Sequence, residues 1–159
     1  MGNPTILFTD GSVNTKSKLG VGAFAFLPFD ELDKSESLKV HTKQFNDTSS
    51  TKLELEVLLH ALSLIEDKHI LVYSDSQNLV GLPSRRKKLE ASNFKSTTGK
   101  THQFKDLYLL LFNELDNRNI EIKKLKGHSK KSEKSELELI FTKVDKAARK
   151  ALREISRRF

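Results

Sequence analysis

An α/β fold is predicted for this chain: a five-stranded mixed sheet, three antiparallel strands followed by two parallel ones, flanked by helices. Two observations carry that prediction. Three strand-length runs follow one another near the N-terminus with short connections, as in an antiparallel meander. Helical and strand periodicities then alternate, as in βαβ units with parallel strands. The 159 residues and 36% apolar content suit one domain over 1–159 with an ordinary core.

The elements follow in order. Thr5 to Thr9 is an apolar, β-branched run that stops at Asp10-Gly11-Ser12, a turn signal. Leu19 to Leu27 reads as a second strand whose Gly and Ala residues allow close packing. An acidic connection from Pro28 to Ser37 leads to a third strand, Leu38 to Phe45, with alternating polarity. A helix from Ser49 to Glu66 places Leu55, Leu58, Leu59, Leu62 and Ile65 at helical spacing. His69 to Tyr73 is a continuous apolar run, consistent with a buried central strand. Gln77 to Leu82 reads as a short helix stopped by Pro83, and residues 84–101 show no periodicity. A helix with Phe104, Leu107, Tyr108, Leu111 and Leu115 inward precedes a strand from Ile120 to Leu125. Residues 127–135 read as a polar, mobile loop, and the last helix runs from Glu136 to Ser156.

Composition narrows the function. There is no Cys, which excludes a disulfide framework, a thiolate metal site and a cysteine nucleophile. No apolar run approaches membrane-helix length, and Met1-Gly2-Asn3-Pro4 leads straight into a strand without a signal or transit pattern. A soluble, cytoplasmic, monomeric protein with no membrane partner is expected. The net charge of +7 is unevenly placed. Residues 1–84 hold 7 basic and 11 acidic side chains, 85–105 hold 7 and 1, and 123–159 hold 13 and 5. An acidic half joined to two basic blocks suggests a cation site beside a polyanion track.

Four carboxylates stand where chemistry is often placed. Asp10 ends the first strand and Asp75 the fourth, Glu54 lies early in the first long helix, and Asp145 is in the middle of the last. Ligands of α/β sheets gather beyond the carboxyl ends of the strands, and the first and fourth strands are expected to be neighbours. Each acid alone has an ordinary explanation. Asp10 suits a turn, Thr51-Lys52-Leu53-Glu54 reads as a capping box, Asp75 suits a helix cap and Asp145 a helix surface. Together they are harder to explain, because two charges about 4–5 Å apart repel by about 3–4 kcal/mol even at an effective dielectric of 20. A hard-oxygen set suits Mg²⁺, with Mn²⁺ as a substitute, rather than Zn²⁺. Two such ions about 4 Å apart can drive phosphodiester hydrolysis.

The motifs resemble those of ribonuclease H of type 1, the single-domain enzyme that cleaves RNA in an RNA–DNA hybrid. Thr9-Asp10-Gly11-Ser12 is similar to its first-strand motif, and Glu54-Leu55 followed by Ala61-Leu62 to its first helix. Ser74-Asp75-Ser76-Gln77 matches the fourth-strand motif almost letter for letter. Lys126-Gly127-His128-Ser129 resembles its Lys-Gly-His loop, and Val144-Asp145-Lys146-Ala147-Ala148-Arg149 its final helix. The matches occur in family order over residues 5–153. The resemblance implies a ribonuclease H-like fold in which Asp10, Glu54, Asp75 and Asp145 hold two Mg²⁺ ions, Asp10 bridging both. It implies that His128 assists proton movement or product release. It also implies that Gly11, Ser12, Asn14, Ser50, Thr51 and Gln77 line the substrate path, with Asn14 and Gln77 in the minor groove, where the 2′-hydroxyl distinguishes RNA.

There are departures. Ser50-Thr51 stands where the family often has Asn-Asn or Asn-Gln, which removes bidentate base-edge bonding. The basic segment from Arg85 to Lys105, with Arg85, Arg86, Lys87 and Lys88, takes the place of the basic protrusion of some relatives without its tryptophans, and is expected to bind phosphate. His128 and Asp145 are 17 residues apart, farther than in compact bacterial members, with Lys130, Lys131 and Lys134 in the insertion. The leading expectation is a metal-dependent endonuclease that cuts the RNA strand of RNA–DNA hybrids, leaving 5′-phosphate and 3′-hydroxyl ends. The alternatives are a DNA-cutting integrase- or resolvase-like relative and a non-catalytic duplex-binding module of the same fold.

Overall fold

The computed structural model describes residues 3–125 and 135–158. The Lys126-Gly127-His128-Ser129 motif and Lys130, Lys131 and Lys134 lie outside the described residues. The strands are β1 (Thr5–Asn14), β2 (Leu19–Pro28), β3 (His41–Phe45), β4 (His69–Ser74) and β5 (Asn119–Lys124). They form one sheet in the order β3-β2-β1-β4-β5, antiparallel among the first three and parallel from β1 through β4 to β5. The helices are α1 (Ser50–Ser63), α2 (Gln77–Ala91), α3 (Lys105–Asn117) and α4 (Glu136–Ser156). Among the described residues, no helix is long and apolar enough to cross a membrane.

Strand alternation sends apolar side chains to both faces of the sheet, so helices cover both. Leu7 of β1 joins Leu58 and Leu62 of α1, Leu79 and Leu82 of α2, and Tyr108 and Leu111 of α3 in one core. Ile6 and Phe8, its neighbours in sequence, point the other way and meet Ile140, Phe141, Val144 and Ala148 of α4.

Four expectations are corrected. β1 does not stop at Asp10-Gly11-Ser12; it runs on to Asn14, paired with β2 from Thr5↔Pro28 to Asn14↔Leu19. Gly11 serves there by lacking a side chain rather than by turning, since a Cβ on it would lie 2.7 Å from Leu53 Cδ2 of α1. Gly22 next to it in the ladder is pressed the same way, with Val57 Cγ2 2.6 Å from its notional Cβ. The acidic connection holds a 3₁₀ segment, Phe29–Ser37, and β3 begins only at His41.

The capping box at Thr51 is not used. Ser49 is the N-cap of α1, its Oγ accepting from the Lys52 N–H at 3.3 Å, so Glu54 belongs to the second turn. Pro83 does not end α2, which continues to Ala91. A helical proline leaves one carbonyl without its donor, here that of Leu79. Burial of Leu79 and Leu82 and the docking of Arg86 on α3 offset that loss. The basic segment Arg85 to Lys88 is therefore helical rather than a loop.

Candidate active site

The β1–β4 ladder pairs Thr5↔Ile70 through Phe8↔Tyr73 and then ends. Asp10 stands two residues beyond its last pair on β1, and Asp75 two beyond on the chain leaving β4. Asp10 shares the alternation of Ile6 and Phe8, which face α4, and Asp145 follows Val144 of that packed helix face. Sheet and helix thus deliver three acids to one end of the parallel pair.

Asp10 is half-buried, and its pKa is pushed up to about 8. Desolvation is the main cause. A hydrogen bond with Asp145 and the negative charge of Asp75 add to it, against an opposing backbone N–H at Gly11. The protonated Asp10 carboxyl donates to Asp145, whose Oδ2 also accepts from Arg149 Nη2 at 2.7 Å. Asp75 is exposed on one side; desolvation on the other and the charge of Asp145 raise its pKa, with Lys124 acting in the opposite direction.

Glu54 enters from α1 on the opposite side of the sheet. Ser76 Oγ donates to Glu54 Oε2 at 2.5 Å while accepting from the Leu79 N–H at 3.2 Å as the N-cap of α2. The Ser76 N–H in turn donates to Ser74 Oγ at 3.1 Å, and both serines are buried. In Ser74-Asp75-Ser76 the two serines thus build the turn and Asp75 projects from it. Desolvation raises the Glu54 pKa, Asp75 raises it further, and the Ser76 hydroxyl lowers it.

The remaining candidates are dispersed. Gly11 and Ser12 continue β1 from Asp10, but Asn14 caps the hairpin turn, its Oδ1 accepting from the N–H groups of Lys16 and Ser17. Ser50 and Thr51 open α1, and Gln77 is the exposed first residue of α2. Arg86 pairs with Asp116 through both guanidinium nitrogens (2.6 and 2.8 Å), contacts Glu90 and lies over the Phe112 ring. Arg85 donates to the carbonyl and Oδ1 of Asn78. Lys87 and Lys88 are exposed, with no ion pair to a described residue.

Two residues with roles in this arrangement escaped the sequence reading. Ser76 was legible only as a letter of a motif, and Arg149, at i+4 from Asp145, had the spacing of a helical ion pair.

The donor set fits a hard divalent cation: carboxylate oxygens only, three of them (Asp10, Glu54 and Asp75) with proton affinity raised chiefly by burial and further by neighbouring negative charge. The fit is open rather than closed, since among the described residues no three His, Cys, Asp or Glu side chains are drawn into one metal-binding group. Ser76 and Arg149 each hold one acid at the margin.

Residues 2–153 match the family model described as RNase H. Ribonuclease HI of Haemophilus ducreyi is 32% identical over 126 residues, covering 77% of this chain and 78% of its own. Ribonuclease H of Clostridium botulinum is 27% identical over 128 residues, covering 78% and 83%. In three dimensions the chain is similar to a PFV RNase H domain solved in solution, with a TM-score of 0.69, 16% identity and 94% of each chain covered. It is similar, at TM-score 0.69 and 14% identity, to part of a foamy viral protease-reverse transcriptase whose structure was determined with an RNA/DNA hybrid; 94% of this chain and 20% of that one are covered. These structural likenesses carry the fold.

Proposed function

The chain belongs to the RNase H family, and from that premise we propose that it is a metal-dependent endonuclease hydrolysing the RNA strand of RNA–DNA hybrids. The observation that carries this reading is the gathering of Asp10, Asp75 and Asp145 at the end of the β1–β4 pair, with Glu54 brought beside Asp75. Structural acids are dispersed or neutralised; here burial and then neighbouring negative charge raise the proton affinity of Asp10, Glu54 and Asp75.

In this reading Asp10, Glu54, Asp75 and Asp145 hold two Mg²⁺ ions, and Mn²⁺ is an acceptable substitute. When bound, such ions activate a water for attack on phosphorus and neutralise charge on the leaving oxygen, giving 5′-phosphate and 3′-hydroxyl ends. The chain's own residues prepare the place. The hydrogen bond between Asp10 and Asp145 relieves their repulsion in the metal-free protein, and a bound cation would take over that task. Ser76 fixes the carboxylate of Glu54 against the α2 cap, so its aim does not depend on the cation. Arg149 does the same for Asp145. The substrate path takes in Gly11, Ser12, Ser50, Thr51 and Gln77, with the exposed Lys87 and Lys88 meeting phosphates beyond them. Shape and backbone recognition of an A-form-like duplex needs no base-specific contact.

The test is cleavage of strand-labelled RNA–DNA, RNA–RNA and DNA–DNA duplexes, each with Mg²⁺, Mn²⁺ or EDTA. Cutting confined to the RNA of the hybrid and lost in EDTA is the expected result. Binding without cutting under every metal overturns the catalytic reading and leaves a duplex-binding module. Cutting of DNA–DNA assigns the fold to the integrase-like class.

A further inference from the structure

Helix α4 carries a feature that cleavage does not use. Beyond Asp145 its outward residues include Lys146, Lys150, Arg153 and the C-terminal cap residue Arg157, spaced four, three and four apart. At about 100° per residue these four fall within about 60° of the helix circumference and span about 16 Å of its length. The buried side of the helix, Ile140, Val144 and Ala148, points the opposite way. All four cations are exposed, and none forms an ion pair with a described residue.

Helix stability does not explain the row. Attraction of cations to the helix dipole fades beyond the last turn, which covers Arg153 and Arg157 but not Lys146 and Lys150. Lys146 with Lys150, and Arg153 with Arg157, are like charges four residues apart, an arrangement that opposes the helix. From 146 to 158 the one acid is Glu154. A self-repelling row facing solvent is what a polyanion neutralises.

We propose that Lys146, Lys150, Arg153 and Arg157 form a second nucleic-acid contact, gripping backbone phosphates of duplex that extends beyond the cleavage site. The inference rests on the reading of the carboxylates as a hybrid-cleaving centre, and adds to it a handle that sets affinity for long substrates. Arg149 links the two: it holds Asp145 and lies on the Asp145 side of the row. Phosphate on nucleic acid is favoured over a lipid surface because the apolar face of α4 is buried against β1 and β2. A helix that binds membranes needs that face to insert.

The test combines K146Q, K150Q, R153Q and R157Q in an Asp10→Asn background. Anisotropy then reads binding to a short hybrid just spanning the carboxylates and to one about three times longer. Affinity for the long hybrid is expected to fall roughly tenfold or more at low salt, and the slope of log affinity against log salt to become shallower by roughly 3. The short hybrid is expected to bind almost as before. With Asp10 intact, KM on the long hybrid rises and kcat does not change. A control with Lys34, Lys39, Lys68 and Lys123 changed to Gln removes equal charge elsewhere. An equal loss in the control, an equal loss on both hybrids, or an unchanged salt slope overturns the proposal. Selective loss of binding to phosphatidylserine vesicles, with hybrid binding intact, does the same and reassigns the row to a membrane. The double variant K150Q/R153Q, expected to show about half the slope change, serves if the quadruple one does not fold. Binding is read without turnover, so a protein that grips long hybrids through this row yet cuts nothing refutes the cleavage reading alone.

Discussion

Replacing Asp10 with asparagine is expected to stabilise the metal-free protein, and increasingly so as pH rises. In the folded chain Asp10 keeps its proton up to about 8, whereas unfolded it ionises near 3.8. Below about pH 4 both states hold the proton, and the residue costs nothing. As pH rises the unfolded state releases its proton first, so the folded state loses ground until the pH passes about 8. About four pH units at about 1.4 kcal/mol each set a ceiling near 6 kcal/mol. The hydrogen bond to Asp145 and access of water to the half-buried carboxyl reduce this to roughly 2 kcal/mol. For a chain of this length that is about 4–8 °C in Tm. Asparagine keeps a donor toward Asp145 at every pH. The assay is denaturant unfolding of both proteins in EDTA at pH 4.5 and 8.5, taking only the difference, so that the other titrating groups cancel. A variant less stable at pH 8.5, or a difference that does not grow with pH, refutes the reasoning. Cleavage by the variant is expected to be lost in any metal.

Three further outcomes follow from the packing. Gly11→Ala forces a Cβ to within 2.7 Å of the fully buried Leu53, and is expected to cost about 1–3 kcal/mol by urea denaturation. Ser76→Ala removes both the α2 cap and the Glu54 contact; a loss of about 1 kcal/mol is expected with a fall in kcat, and Ser76→Thr should restore both. Wild-type kcat in the alanine variant would show that Ser76 only caps the helix. Arg86→Gln should lower Tm through lost docking on Asp116 and Phe112 while leaving the salt dependence of hybrid binding unchanged. Lys87→Gln with Lys88→Gln should make that dependence shallower by roughly 1.5, and the reverse pattern would reassign the phosphate contact to Arg86.

Periodicity alone revealed the element order and the mixed sheet, because alternation and helical spacing report directly which face of each segment is buried. The bounds of α4 were read correctly, its apolar stripe being long and uninterrupted. The four carboxylates were legible as candidates from residue type, strand position and motif order. Local signals misled where a distant contact outweighed them. Asp10-Gly11-Ser12 looks like a turn until β2 pairs with it and α1 presses on Gly11. Pro83 looks like a stop until Arg86 finds Asp116, thirty positions along the chain. Thr51 looks like a cap, but Ser49 takes that role while Thr48 donates to Glu56.

What the amino-acid order by itself determined is therefore the inventory: five strands, a basic and an acidic division of charge, and four acids of the right chemistry. Tertiary structure alone decided how they meet. The parallel β1–β4 pair ends where Asp10 and Asp75 begin, α4 lays Asp145 against Asp10, and the raised pKa of Asp10 follows from desolvation, that hydrogen bond and the charge of Asp75. Which cations are free was settled there too, with Arg86 and Arg149 bound to acids and Lys146, Lys150, Arg153 and Arg157 left facing water. Those outcomes depend on through-space separation between residues far apart in the chain, which no local pattern of side chains encodes.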